Sequence, residues 1–230
     1  MKSIVLAAVV VALAGCTAPF KQSFEPRTAG TIRSIALVEP VEPEGYVAFD
    51  YGHPGMYIGL VSGIVTGSHL EEEGRKFTAH LRRAGFEIAR RLGERTAFEL
   101  ERRGYEVKRV SHADYATGVD AVLTLQPETV GYVAPRVLTD YIPALGVVVE
   151  LMPAAKPDAE PLYREGFMFG WQSFSGWWVN LPAPKEYSYR NFADLIKRSE
   201  EAADGLWLGA DRIAERLAAD FAFARLPQTR

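Results

Sequence analysis

The chain has 230 residues, with 26 lysines and arginines against 29 aspartates and glutamates and a formal net charge of -3 at pH 7. That balance supplies no basic face for nucleic acid and gives no reason to expect an acidic-surface partner. The single cysteine, Cys16, excludes an internal disulfide or a thiolate metal cluster, and the length suits one domain of about 190 residues with a full core.

Lys2 is followed by an uncharged apolar run from Ile4 to Leu13, the n-region and h-region of a secretory signal. A permanent membrane helix needs roughly 20 apolar residues, so residues 1–15 read as a cleaved signal peptide. Leu13-Ala14-Gly15-Cys16 closes the run. This tetrad resembles the lipobox of bacterial lipoproteins, and the resemblance implies that Cys16 carries a covalent lipid and becomes the acylated N-terminus. The alternative is an ordinary secreted protein cut near Ala14. With three acyl chains, each buried methylene contributing about 0.8 kcal/mol, attachment is effectively permanent. In that family an aspartate after the cysteine favours the inner membrane. Thr17 stands there instead, which implies the outer membrane with the body on the periplasmic side.

Residues 16–30, the lipidated cysteine and then a stretch with Pro19, Pro26 and Gly30 and no apolar period, read as a flexible tether of about 45 to 50 Å at full extension. Residues 31–224 read as a single α/β domain, and 225–230 as a tail. The β-branched segment Ile32 to Val38 is the first strand, stopped by Pro40 and Pro43. A glycine-rich insertion follows over 51–70. Within it Tyr51 to Leu70 carries no Asp, Glu, Lys or Arg, and Gly55, Gly59, Gly63 and Gly67 recur every four residues. On a helix this spacing makes one small-residue face suited to association; in a loop or buried packing segment the glycines serve close backbone approach. Both readings stand.

Ser68 and Glu71 fit a capping box. They predict one long helix with Phe77, Leu81, Ala84, Ile88 and Leu92 on its buried stripe, ended at Gly104 as a C-cap. Strands follow at Tyr105 to Val110, Asp120 to Leu125, Ala144 to Met152 and Leu162 to Phe174, the last two joined by a hairpin loop over Pro153 to Pro161. Ser173 to Tyr189 is an aromatic loop. A second long helix runs from about Phe192 to Phe223, capped by Asn191. Two helices cover one face of such a sheet, which predicts a two-layer α/β (α+β) sandwich, a mixed sheet of about five strands with two long helices on one face.

No nucleophile elbow, phosphate loop or dinucleotide fingerprint is present. His53, His69, His80 and His112 form no metal-binding spacing, so no metal and no cofactor beyond the lipid on Cys16 is expected. Glu128, Glu150 and Glu165 lie on or beside strands, where a pair in a cleft would suit glycoside hydrolysis and a solvent-facing set would not. Trp171, Phe174, Trp177, Trp178 and Tyr187 make either an exposed patch for a ligand or partner or a cover over one end of the core.

The strand and helix order, with Asp120-Ala121-Val122-Leu123 and Leu145-Gly146-Val147-Val148-Val149-Glu150-Leu151, resembles a group of Gram-negative envelope lipoproteins whose folds are similar to the TolB N-terminal domain and the curli-secretion lipoprotein. The resemblance implies a non-enzymatic binding or assembly module that reaches the membrane through its lipid and meets an envelope protein or a second copy of itself. The alternatives are a periplasmic glycan- or lipid-binding protein using the aromatic loop, and a cell-wall hydrolase.

Overall fold

The computed structural model describes residues 21–50, 63–136, 139–156, 159–172 and 178–225, and counts and absences below refer to these residues. Seven strands form one mixed sheet: β1 (Ser34–Val38), β2 (Val47–Asp50), β3 (Glu106–Val110), β4 (Ala121–Ala134), β5 (Ile142–Pro153), β6 (Tyr163–Gly170) and β7 (Trp178–Leu181). The order is β3-β1-β4-β5-β6-β7, and β2 also pairs with β4. The helices are α1 (Pro26–Ala29), α2 (Gly63–Arg83), α3 (Ile88–Glu101), α4 (Phe192–Lys197) and α5 (Ser199–Arg225).

The two-layer arrangement is the one the sequence predicts, and its layers can be assigned residue by residue. Leu123 lies opposite Leu151, Leu125 opposite Val149, and Val147 opposite Phe167, so the odd positions of β5 and β6 share one face. The helices cover that face. Phe77 of α2 meets Tyr132 edge-on at 5.8 Å, and α5 lies so close to the sheet that a Cβ built on Gly209 would stand 2.7 Å from the Phe169 ring.

Where the structure departs from the sequence reading, local chemistry supplies the reason. The predicted long helix is two. Gly85 at φ +71° ends α2 in a Schellman arrangement, with the Phe86 N–H donating to the Leu81 carbonyl at 3.0 Å. Gly104, at φ +80°, ends α3 as expected. Ser68 lies inside α2 rather than ahead of it, so the helix starts before the predicted capping box. The C-terminal helix breaks at Arg198, while Asn191 does cap its first part, accepting the Asp194 N–H at 2.9 Å. Strand β4 runs on past Leu125 to Ala134 because Pro127 sits at a register shift between Pro127 and Thr129, a site that needs no ladder donor.

Residues 21–30, expected as part of a tether, pack on the body. Gln22 and Arg164 exchange backbone hydrogen bonds of 2.8 Å each way. Phe24 is buried with its ring 4.9 Å from Phe221, and Ala29 and Ile32 are core residues. Residues 21–30 therefore belong to the body: apolar Phe24, Ala29 and Ile32 gain more from burial than from hydration.

Candidate functional site

The edge of β6 is built from two separate pieces of chain. Gln22 pairs at Arg164, and β7 begins two residues further along, with Trp178 opposite Gly166. The preceding side chain, Lys21, places its Nζ 2.7 Å from Oε2 of Glu165. The Glu165 side chain is 5% exposed and that of Lys21 53%, so a buried carboxylate is held by an amine that still reaches water. Its other oxygen, Oε1, is buried without a hydrogen-bond partner. Removing Lys21 leaves the Glu165 carboxylate as an uncompensated buried charge. The pair therefore fastens the N-terminal segment at a defined point.

A second feature lies where β1 and β2 meet the same side of β4. Strand β1 pairs with Ala121 to Leu123, and β2 with Gly131 to Ala134. Between those ladders the chain leaves the sheet with Pro40 and Pro43, neither of which has an N–H to donate. A cleft of about 490 Å³ opens there, lined by Val38 to Glu44 and by Thr124 to Pro127. Its neighbour, about 630 Å³, lies between Glu44-Gly45-Tyr46 and α2. Val41 on the rim is 81% exposed.

Two carboxylates of this cleft, Glu39 and Glu42, are engaged structurally, and Glu44 is engaged through its backbone. Glu39 pairs with Arg109 at 3.2 Å, and Arg82 donates to the Glu44 carbonyl at 2.6 Å. Glu42 accepts from the Tyr46 hydroxyl and from the Ala89 N–H. The Tyr46 hydroxyl is held well above the ordinary tyrosine range by burial and by its bond to Glu42, so it remains a donor.

The predicted site residues fall in several places. Cys16, Gly55, Gly59, Phe174 and Trp177 lie outside the described residues. Gly63 and Gly67 are on the first turns of α2, the helical alternative for that part of the series. Trp171 follows β6 and donates its backbone N–H to the Pro143 carbonyl at 2.8 Å, beside a cleft of about 420 Å³ that includes Arg136 and Ile142. Trp178 shares the sheet face of Gly166, away from the helices, whereas Tyr187 packs on the helix side, 2.8 Å from a Cβ built on Gly205. The sheet thus separates Trp178 from Tyr187, and the two do not form one patch.

Glu150 and Glu165 are divided in the same way: Glu150 lies opposite Arg164 and pairs with it at 2.6 Å, while Glu165 lies opposite Val149. Glu128 is exposed. These carboxylates do not converge as hydrolysis needs. No group of three or more His, Cys, Asp or Glu suited to a metal occurs among the described residues, and none of their helices is long and apolar enough to cross a membrane. Sequence reasoning missed Lys21, Gln22 and Phe24. The one available signal was Phe24, an apolar residue inside a supposedly solvated tether.

No protein-family model matches the sequence, and no curated protein matches it. Among solved structures, a PelC variant dodecamer from Paraburkholderia phytofirmans is 13% identical, covering 87% of this chain and 93% of its own, with a TM-score of 0.37. Lipoprotein GNA1162 from Neisseria meningitidis is 15% identical over 63% of this chain and 88% of its own, with a TM-score of 0.28. A neuraminyllactose-binding hemagglutinin homolog from Helicobacter pylori is 11% identical over 88% and 96%, with a TM-score of 0.36. Likenesses this loose assign no family.

Proposed function

We propose that this chain is an outer-membrane-anchored periplasmic lipoprotein whose body acts as a non-enzymatic binding or assembly module in an envelope complex. One observation carries the reading. The body is seated on its own sheet by Lys21, five residues after the lone cysteine that closes Leu13-Ala14-Gly15-Cys16. An ion pair to a buried carboxylate at that place gives a lipid anchor a defined purchase on the fold. The cleft between β1, β2 and β4 supports the binding half: Glu39 and Glu42 on its lining serve structural bonds, so it offers a partner shape and the stretch of β4 edge between the two ladders.

The test has two arms. Metabolic labelling with an alkyne fatty acid is expected to mark the wild type in the outer-membrane fraction and to leave Cys16→Ser unmarked and released. A photo-crosslinking residue at Val41 is expected to give a discrete adduct with an envelope protein or a second copy in intact cells. An unmarked wild type overturns the anchor, and a Val41 probe that yields no adduct overturns the contact surface.

A further inference from the structure

The point at which the chain joins the body fixes which surface a lipid anchor would draw to the membrane. Four residues, 17–20, separate Cys16 from Lys21. At full extension the five steps from Cys16 to Lys21 span at most about 18 Å, less than the diameter of the body. Gln22 bridges Arg164 antiparallel, so the step back from Gln22 to Lys21 runs along β6 from Arg164 toward Glu165, next to Gly166. Gly166 is the partner of Trp178. The described chain therefore begins, at Lys21, close to the first residue of β7, whose partner Gly166 lies about 7 Å from the Gln22 bridge by the rise of two strand residues.

Trp178 is half-buried on the sheet face opposite the helices. An indole with an apolar body and a polar N–H is the side chain that settles in the headgroup layer of a bilayer. We infer that the β6–β7 edge is the membrane-facing surface of this protein, held against phospholipid by the short span from Cys16 to Lys21, with the Trp178 ring in the interfacial layer. The inference rests on the lipid-anchor reading above and adds the orientation to it. The Lys21–Glu165 pair is the first of the positioning contacts, with the Gln22–Arg164 bonds and buried Phe24 behind it, that keep residues 21–30 from adding to the tether. The cleft at Val41 belongs to the β1–β2 side of β4, two strands away from β6 across β5, so the same geometry leaves it open to the periplasm.

The experiment uses the full lipidated chain, purified from its membrane and placed in vesicles of phosphatidylcholine, either plain or brominated on the acyl carbons nearest the headgroup. Tryptophan emission is expected to drop in the brominated vesicles. Trp178→Phe, which keeps an aromatic ring on β7, is expected to at least halve that drop. A glycine-serine insertion of about ten residues after Ala18, adding about 35 Å of reach at full extension without touching the body, is expected to do the same. Circular dichroism checks that both variants remain folded. A protein that carries its acyl label yet shows equal emission in the two vesicle types overturns the inference, as does a drop that persists undiminished in either variant. A chain without acyl label at Cys16 overturns the anchoring reading itself, and the orientation with it.

Discussion

Glu42 caps a helix that starts more than forty residues later: its carboxylate accepts the Ala89 N–H at 2.8 Å and the Ile88 N–H at 3.3 Å. The local residue at that position, Glu87, makes no side-chain cap bond. A carboxylate at a helix N-terminus satisfies free N–H groups and meets the positive end of the dipole. Glu42→Ala is therefore expected to destabilise the protein by about 1–2 kcal/mol, read as a lower urea midpoint. Glu87→Ala is expected to leave the midpoint within error, because its carboxylate pairs with the exposed Arg90.

Asp120 joins the starts of β1 and β4. Its Oδ2 accepts the Ser34 and Arg33 N–H groups and the Ser34 hydroxyl, each at 2.9 Å, and these bonds, those of Ser34 first, hold its carboxyl below the usual range. A depressed folded value means the contribution is present in full above the unfolded value of about 4. It is lost as pH falls through the lower folded value. The stability gap between wild type and Asp120→Asn should be widest near neutrality and should close as the pH drops below about 4; a gap that stays constant with pH would contradict this.

Glu99 is buried on α3 and meets Arg95 at 3.2 Å, Arg102 at 3.1 Å and Arg103 at 2.9 Å. Its removal strands charge on the α3 surface, whereas the removal of one guanidinium leaves two. Glu99→Ala is expected to cost about 1–3 kcal/mol. Arg102→Ala, whose side chain is 61% exposed, should cost under about 1 kcal/mol. Paired urea titrations separate the two.

The glycines whose lack of a side chain brings α5 onto the sheet are Gly205 and Gly209, spaced as in the earlier series. A Cβ on Gly209 would lie 2.7 Å from Phe169 and 3.2 Å from Leu145, both fully buried. Overpacking of this kind costs about 1–3 kcal/mol, against about 1 kcal/mol gained from the helix propensity of alanine. Gly209→Ala should therefore lower Tm, although an exposed helical glycine replaced in the same way would raise it.

The layers of this fold were legible because they follow period: Leu123, Val147, Val149 and Phe167 announce buried strands, and the stripe from Phe77 to Leu92 announces a helix face. The break at Gly85 was also written in the chain, yet the apolar period continues through Ile88 and hides it. Strands β2 and β7 were missed because four residues, Val47-Ala48-Phe49-Asp50 or Trp178-Val179-Asn180-Leu181, carry too little alternation to stand out from a loop. Glu42, Lys21 and Gln22 act across long stretches of chain, on Ala89, Glu165 and Arg164, and no local pattern encodes such pairings. The aromatic residues showed composition without direction. Only the register of β7 against β6 reveals that Trp178 and Tyr187 look to opposite sides.

The anchor is tested most directly by the intact mass of the mature protein taken from the outer membrane, followed by sequencing of its N-terminal peptide. The expected result is a chain that begins at Cys16 and carries three acyl groups. A mature chain that begins elsewhere, or a Cys16 whose thiol reacts freely with a maleimide, would contradict it.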